Sequence, residues 1–509
     1  MKPLNVFAGL ALVLPAIVQA QRFIGYYGKT VGDCSDYPSF EPESLPIDKY
    51  THLNFAFALI NDEGVIALDQ PNDMAKYKEF NALKVKKPSL RTALTVGGWD
   101  MKMEHYSEMV STHEKREKFI KSAIAYVREH DFDGLDFDWE YPADKKRGGH
   151  DADPENFVAF LKEMREAADA EVLKDKQERL ILSIALPGGP FHGDYFLIPQ
   201  LAAYADWFNI MAYNLHGPWE SVVFCAAPLN DPANATEYNG YSLVDAINSM
   251  APKTVDTRKF NLGLSLSGVT FTLQDKQKTS PGSPAAGPGR EGCQEKGAMA
   301  YFEARKLVQK VGVQGVTKDG KSMSVQSVHI QGGDGKRGRI GGGDGMSHHI
   351  MAGEKGKQRN VPERNGITQM PQMDGISKCM YMVVDEDQWV GFDTPETFAY
   401  KVDYLKSYGF GGVSIWSMDS DTNGHELTNS IHSSLTKDFI QDPTSNKNLI
   451  PTSSTSSSLA AATQQTTQQT KAPKADNTNE NKKSDSGAKL IQGFAPLLLL
   501  IIFGSAILA

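Results

Sequence analysis

Eight short apolar segments, each separated from the next by a stretch with helical spacing, restrict what this chain can fold into. They are Phe23–Tyr27, His52–Phe57, Thr92–Val96, an acidic segment beginning at Asp133, Leu180–Leu186, Trp207–Tyr213, Phe260–Leu266 and Val413–Trp416. The intervening stretches, such as Lys115–His130 and Pro154–Leu173, carry Ala, Leu or Ile at helical spacing and are long enough for crossover helices. Eight strands alternating with helices predict an α/β chain folded as a (β/α)8 TIM barrel. Residues 21–440 suffice for one such domain with an insertion.

The acidic segment sets the chemistry. It reads Asp133-Gly-Leu-Asp136-Phe-Asp138-Trp-Glu140-Tyr-Pro142. Alternate side chains of a strand share a face, so Asp136, Asp138 and Glu140 point one way, while Phe137 and Trp139 point the other. Carboxyl groups about 6–7 Å apart on one face repel each other if all are ionised. A solvated acidic edge strand would tolerate this, but the interleaved Leu135, Phe137 and Trp139 argue for a buried strand. There the arrangement makes sense if one carboxyl stays protonated near neutral pH. Barrel enzymes collect catalytic groups at the C-terminal ends of strands. Glu140 falls at the end of the fourth segment, Gly98 and Trp99 just past the third, Tyr213 at the end of the sixth and Trp416 at the end of the eighth.

The ends carry two further signals. Residues 1–20 have a basic start, an apolar run and small residues before Gln21, the pattern of a secretory signal peptide. Residues 441–486 form a Ser/Thr-rich stretch that cannot bury a core and reads as a stalk. Residues 487–509 end in an apolar run with no basic stop, the pattern of a glycosylphosphatidylinositol attachment signal, with Ser486 or Ser484 as acceptor. A short membrane-spanning tail anchor is the rival reading. Together these place the chain at a cell surface, held to the membrane by lipid.

Cys34, Cys225, Cys293 and Cys379 allow three pairings, which the sequence leaves open. No Cys/His spacing suggests a metal, and the adjacent His348 and His349 read as exposed. The formal net charge of −9 argues against a nucleic-acid partner. Asn234-Ala-Thr236 is the one N-glycosylation sequon. About 145 residues separate the seventh segment from the eighth, far beyond an ordinary barrel loop. An inserted lobe over about 270–390 is expected there, from Gly268–Arg305 and Ile376–Asp393, around a glycine-rich middle at 331–345 expected to be disordered.

The segment Asp133–Pro142 resembles the DGxDxDWEYP signature of glycoside hydrolase family 18, the chitinases. Thr95-Val-Gly-Gly-Trp99 resembles that family's SxGGW, and Met211-Ala-Tyr-Asn214 its MxYD. Thr51–Phe57 and Gln388–Asp393 resemble its second strand and the stretch before its last helix, so the likeness covers about 22–310 and 376–425. The resemblance implies hydrolysis of β-1,4 bonds in chitin or chito-oligosaccharides by a monomer without a cofactor. It implies that Glu140 is the acid and base, while Asp138 holds the acetamido N–H of the substrate, whose carbonyl is the nucleophile. Asp136 would share a proton with Asp138. Tyr213 would brace the acetamido oxygen, and Trp416 would floor the sugar subsite, with Tyr26, Phe57, Gly98, Trp99, Tyr141, Met211 and Asn214 as further binding residues. With the stalk and anchor, this suits remodelling of a chitin-containing wall, which points to a fungus. The chain departs from the family at Asn214, where Asp is usual, so a lower pH optimum is expected. It departs again at Ser267-Gly-Val269, where Tyr-Gly-Arg is frequent, so weaker grip is expected there. These departures keep open a weak or inactive chitin-binding lectin. An enzyme releasing N-glycans is a third reading, disfavoured by the Gly-Gly-Trp and Trp-Glu-Tyr-Pro matches.

Overall fold

A computed structural model describes residues 21–28, 40–174, 177–189, 192–231, 241–310 and 367–437. The signal-peptide, stalk and anchor segments, Cys34, the sequon at Asn234, the glycine-rich run and His348-His349 lie outside the described residues.

Eight parallel strands close a barrel. In order they are Arg22–Tyr27, His52–Ile60, Arg91–Gly97, Gly134–Asp138, Ile181–Pro187, Trp207–Met211, Phe260–Ser265 and Gly412–Trp416. The first strand pairs with both the second (Ile24 beside His52) and the eighth (Arg22 beside Gly412), and this closes the ring. All eight predicted segments are barrel strands. They read as apolar runs because the helices cover them from outside. The expected crossover helices are His113–Glu129 and Asp153–Asp169. Thr112 caps the first by accepting from the Lys115 N–H.

The core lies between strands and helices. Phe137 meets Phe160 edge-on at 5.2 Å, and Trp139 sits between a stacked Tyr106 at 5.0 Å and an edge-on Phe157 at 5.4 Å. Each such burial contributes about 1.5–3 kcal/mol. These contacts also fix which way the acidic segment faces, since anchoring Phe137 and Trp139 outward leaves Asp136 and Asp138 pointing into the barrel.

The insertion folds as a second sheet. Ser267–Leu273, Ala285–Pro288, Ile367–Met373, Met380–Val384 and Gln388–Phe392 make an antiparallel array, joined by Ala298–Ala300 on the Ser267 strand. It starts two residues after the seventh barrel strand and hands the chain back before the last helix pair, Pro395–Tyr408 and Glu426–Thr436. A disulfide joins Cys225, in the loop after the sixth strand, to Cys379 in this lobe, and Cys293 is also disulfide-bonded. Among the described residues, no helix is long and apolar enough to cross a membrane.

Candidate active site

The C-terminal mouth of the barrel holds a cavity of about 320 Å³ lined by Tyr26, Phe57, Asp138, Glu140, Met211, Tyr213 and Trp416, with Ala185, Asn209 and Ser414. The first seven are residues the sequence singled out. Their convergence follows from topology, because strands one, two, four, six and eight each deliver a side chain at the same end.

The third strand contributes by getting out of the way. Gly97 has φ +121°, and a Cβ there would lie 1.9 Å from the Asp138 carbonyl oxygen. Gly98 has φ +86°, and its N–H donates to that same carbonyl at 3.0 Å. A Cβ on Gly98 would come 2.9 Å from the Phe57 ring. The Gly-Gly pair therefore lets the third strand's end press against the fourth, and Phe57 lie flat at the rim.

Asp136 is fully buried behind the cavity. Its Oδ1 accepts from Ser183 at 2.5 Å and Asn209 at 3.2 Å, and its Oδ2 from Tyr26 at 2.9 Å and Thr95 at 3.2 Å. Burial pushes this carboxyl up, and the hydroxyl donors Ser183, Tyr26 and Thr95 pull it back. Asp138 has no such counterweight. Its Oδ1 is buried with no hydrogen-bond partner among the described residues. Burial first, then the charges of Glu140 and Asp136, hold Asp138 well above the usual carboxylate range. Of the two aspartates, Asp138 is the one on which every influence pushes upward. Among the described residues no hydrogen bond joins it to Asp136, whose two oxygens already accept from Ser183, Asn209, Tyr26 and Thr95. Tyr213 is likewise pushed well above its ordinary value by burial, then by Asp138, Glu140 and Asp136, and stays a phenol that can donate.

Four expected binding residues do not line this cavity: Gly98, described above, Trp99, Tyr141 and Asn214. Trp99 lies beneath the guanidinium of Arg147, 3.8 Å from its ring centroid. Tyr141 stacks on the His192 ring at 4.3 Å and packs against the cluster of Met211 and Tyr213. Asn214 is exposed, with φ +51°, in a second cavity of about 640 Å³ beside Trp219, Ser267, Val269 and Gln294. Trp416 lines both cavities, which makes them one cleft. Trp99 is thus held in its loop beside Arg147, whereas Tyr141, which also hydrogen-bonds Glu140, borders the group of Met211 and Tyr213. Asp133, the first acid of the segment, serves structure: its Oδ2 accepts from the Thr92 N–H at 2.8 Å and from Lys84 at 3.2 Å.

Two functional residues were missed. Asn209 is one polar residue inside an apolar strand and carries no periodic signal. Arg147 sits in a loop. Its Nε–H donates to the Glu140 carbonyl at 2.8 Å, and its Nη2 to the carbonyls of Trp99 and Met101. It ties the loop after the third strand to the residue at the centre of the site. Among the described residues, no group of three or more His, Cys, Asp or Glu side chains is placed to hold a metal ion.

A family model described as glycosyl hydrolases family 18 matches residues 22–421. The chain is 30% identical over 390 residues to chitotriosidase-1 of Mus musculus, which covers 75% of this chain and 69% of that protein. The Group IV chitinase of Ostrinia furnacalis, solved in complex with allosamidin, superimposes with a TM-score of 0.64 at 27% identity, covering 82% of this chain and 99% of that one. Human YKL-39, described as a pseudo-chitinase with retained chitooligosaccharide binding, shares the fold with a TM-score of 0.65 at 24% identity, covering 82% of this chain and 100% of that one.

Proposed function

The chain belongs to glycosyl hydrolases family 18, and from that premise we propose that it is a chitinase cleaving β-1,4 bonds between N-acetylglucosamine units with retention. One arrangement carries this reading. Asp138 and Glu140, two residues apart at one strand end, share a cavity with Tyr213 and the Trp416 ring. A two-carboxylate retaining enzyme needs its nucleophile across the sugar ring from its acid. Both acids here issue from one strand, on one side, so the nucleophile is the substrate's own acetamido oxygen.

Glu140 gives its proton to the glycosidic oxygen as the C1–O bond breaks, and the acetamido oxygen bonds to C1, forming an oxazolinium ion. Asp138 accepts the acetamido N–H through one oxygen and turns its own proton toward Glu140. Tyr213 donates to the acetamido oxygen and aligns it. The leaving sugar departs with the proton it received. Water then attacks C1 while Glu140 takes a proton from it, restoring the acid and the acetamido group. Trp416 offers an apolar face to the sugar's C–H face. The test is hydrolysis of a fluorogenic chitotriose substrate by the full chain, with Glu140→Gln as the comparison.

A chitin-binding lectin is the second reading, favoured by Val269, a buried apolar residue in the second cavity where the family often has Arg. Retained binding to chitin beads without hydrolysis would select it. For location, the two terminal signals support a secreted, lipid-anchored protein acting on a fungal wall. Release from cells by a phosphatidylinositol-specific phospholipase tests the anchor.

A further inference from the structure

Beneath the site, a file of amides crosses the barrel interior and ends on an arginine. Arg22, at the start of the first strand, donates from Nε to Asn261 Oδ1 at 2.9 Å. Asn261 Nδ2 donates to Asn209 Oδ1 at 2.8 Å. Asn209 Nδ2 donates to the Tyr26 hydroxyl at 2.9 Å and to Asp136 Oδ1 at 3.2 Å. Tyr26 in turn donates to Asp136 Oδ2 at 2.9 Å. Asn261, Asn209 and Asp136 are all buried.

The direction of this file is forced. A guanidinium has donors and no acceptor, so Asn261 must face it with oxygen. That turns the Asn261 amine to Asn209, which must offer oxygen there and its own amine to Tyr26 and Asp136. Tyr26, already accepting, has its one proton left for Asp136. Each oxygen of Asp136 thus receives a donor whose polarity was set at Arg22. Burial lowers Arg22 only to about 10, so it is charged at neutral pH. The titratable groups acting on Asp136 or Asp138 are each other, Glu140, Tyr26, Tyr106, Tyr141 and Tyr213, none of them a cation; Arg147 meets the Glu140 carbonyl.

We propose that Arg22 and Asn261 are positioning residues that, acting through Asn209, commit Asp136 to accept hydrogen bonds as a carboxylate and so keep a proton on Asp138. A proton held on Asp138 can hydrogen-bond Glu140 once Glu140 has given up its own. Of the two carboxylates acting on Asp138, Glu140 acts the more strongly.

Asn261→Asp tests this without a change of shape. A carboxylate there accepts from Arg22 and presents an acceptor to Asn209. The Asn209 amide must then turn over and face Asp136 with oxygen, so Asp136 must take the proton. Infrared spectra of the full chain at neutral pH locate that proton. In the native chain, one component of the buried carbonyl stretch, besides that of the protonated Glu140, should vanish with Asp138→Asn and survive Asp136→Asn; in Asn261→Asp the two assignments should exchange. If Asn261→Asp does not fold, Arg22→Gln, which can face Asn261 with either end, should divide the band between the two aspartates. A band that follows Asp138 in every background, or Asp136 in the native chain, overturns the proposal. The consequence for rate rests on the proposed chitinase reaction. There the acid limb of kcat should move up by about one pH unit in Asn261→Asp, the scale of one lost charge-assisted hydrogen bond, with KM little changed. Exchanged infrared bands in a chain that hydrolyses no chitotriose would sink the reaction and leave the relay standing. Hydrolysis with an unmoved acid limb would do the reverse.

Discussion

Arg147 offers the most informative single substitution, because it touches the catalytic segment only through the backbone. Its Nε–H holds the Glu140 carbonyl at 2.8 Å, and its guanidinium lies 3.8 Å from the Trp99 ring centroid. A hydrogen bond from a charged donor contributes about 1.5–3 kcal/mol and the cation–π contact about 0.5–2 kcal/mol. Arg147→Met removes both and keeps much of the stem's volume. If roughly half of that energy serves to fix Glu140 for proton transfer, kcat falls about fivefold to seventyfold. Arg147 does not line the catalytic cavity, so KM for a short substrate should change less than threefold, on the order of 0.6 kcal/mol. Arg147→Lys keeps the charge near Trp99 but loses the planar fork, and should fall between the two. The assay is steady-state hydrolysis of fluorogenic chitotriose, with thermal melts to confirm equal folding. Arg147→Met with a native melt and kcat within twofold of the parent would refute the positioning role.

Asp138→Asn should change how stability depends on pH. A carboxyl whose folded pKa is raised holds its proton longer in the folded state, so stability is lost as pH rises above its ordinary value of 3.8 toward the folded pKa. The Asn variant lacks that loss, at most about 1.4 kcal/mol per pH unit, so its melting temperature should overtake the parent's between pH 4 and pH 7; parallel curves would contradict the assignment. Trp416→Ala removes the ring shared by both cavities and should raise KM about tenfold, read with chitotriose substrates. Replacing Cys225 and Cys379 together with Ser opens a loop of 154 residues and should cost about 2–5 kcal/mol, visible as an earlier denaturation midpoint.

The barrel was legible because each strand is buried on both faces and reads as a plain apolar run, Leu180–Leu186 being the clearest. The acids were legible because Phe137 and Trp139, anchored outward, impose the alternation that aims Asp136 and Asp138 inward. The lobe was legible in outline, from the excess length between Leu266 and Val413. Loop conformation was not: nothing in the order of residues says that Arg147 covers Trp99, or that Tyr141 turns to His192. The polar file also escaped notice. Arg22, Asn209 and Asn261 are single polar residues in three separate strands, and only closure of the barrel brings them into line. The cysteine pairing was open for the same reason, since Cys225 and Cys379 meet only once the lobe has folded back.

The central claim is that Glu140 transfers the proton to and from the substrate. Its most direct test is the hydrolysis of fluorogenic chitotriose by the full chain and by Glu140→Gln, an isosteric change that leaves the cavity's shape in place. The account predicts that the parent turns over and that the variant loses at least a hundredfold in kcat, the low end of what a positioned acid–base group supplies, while still binding the substrate. Equal rates in the two proteins would contradict it.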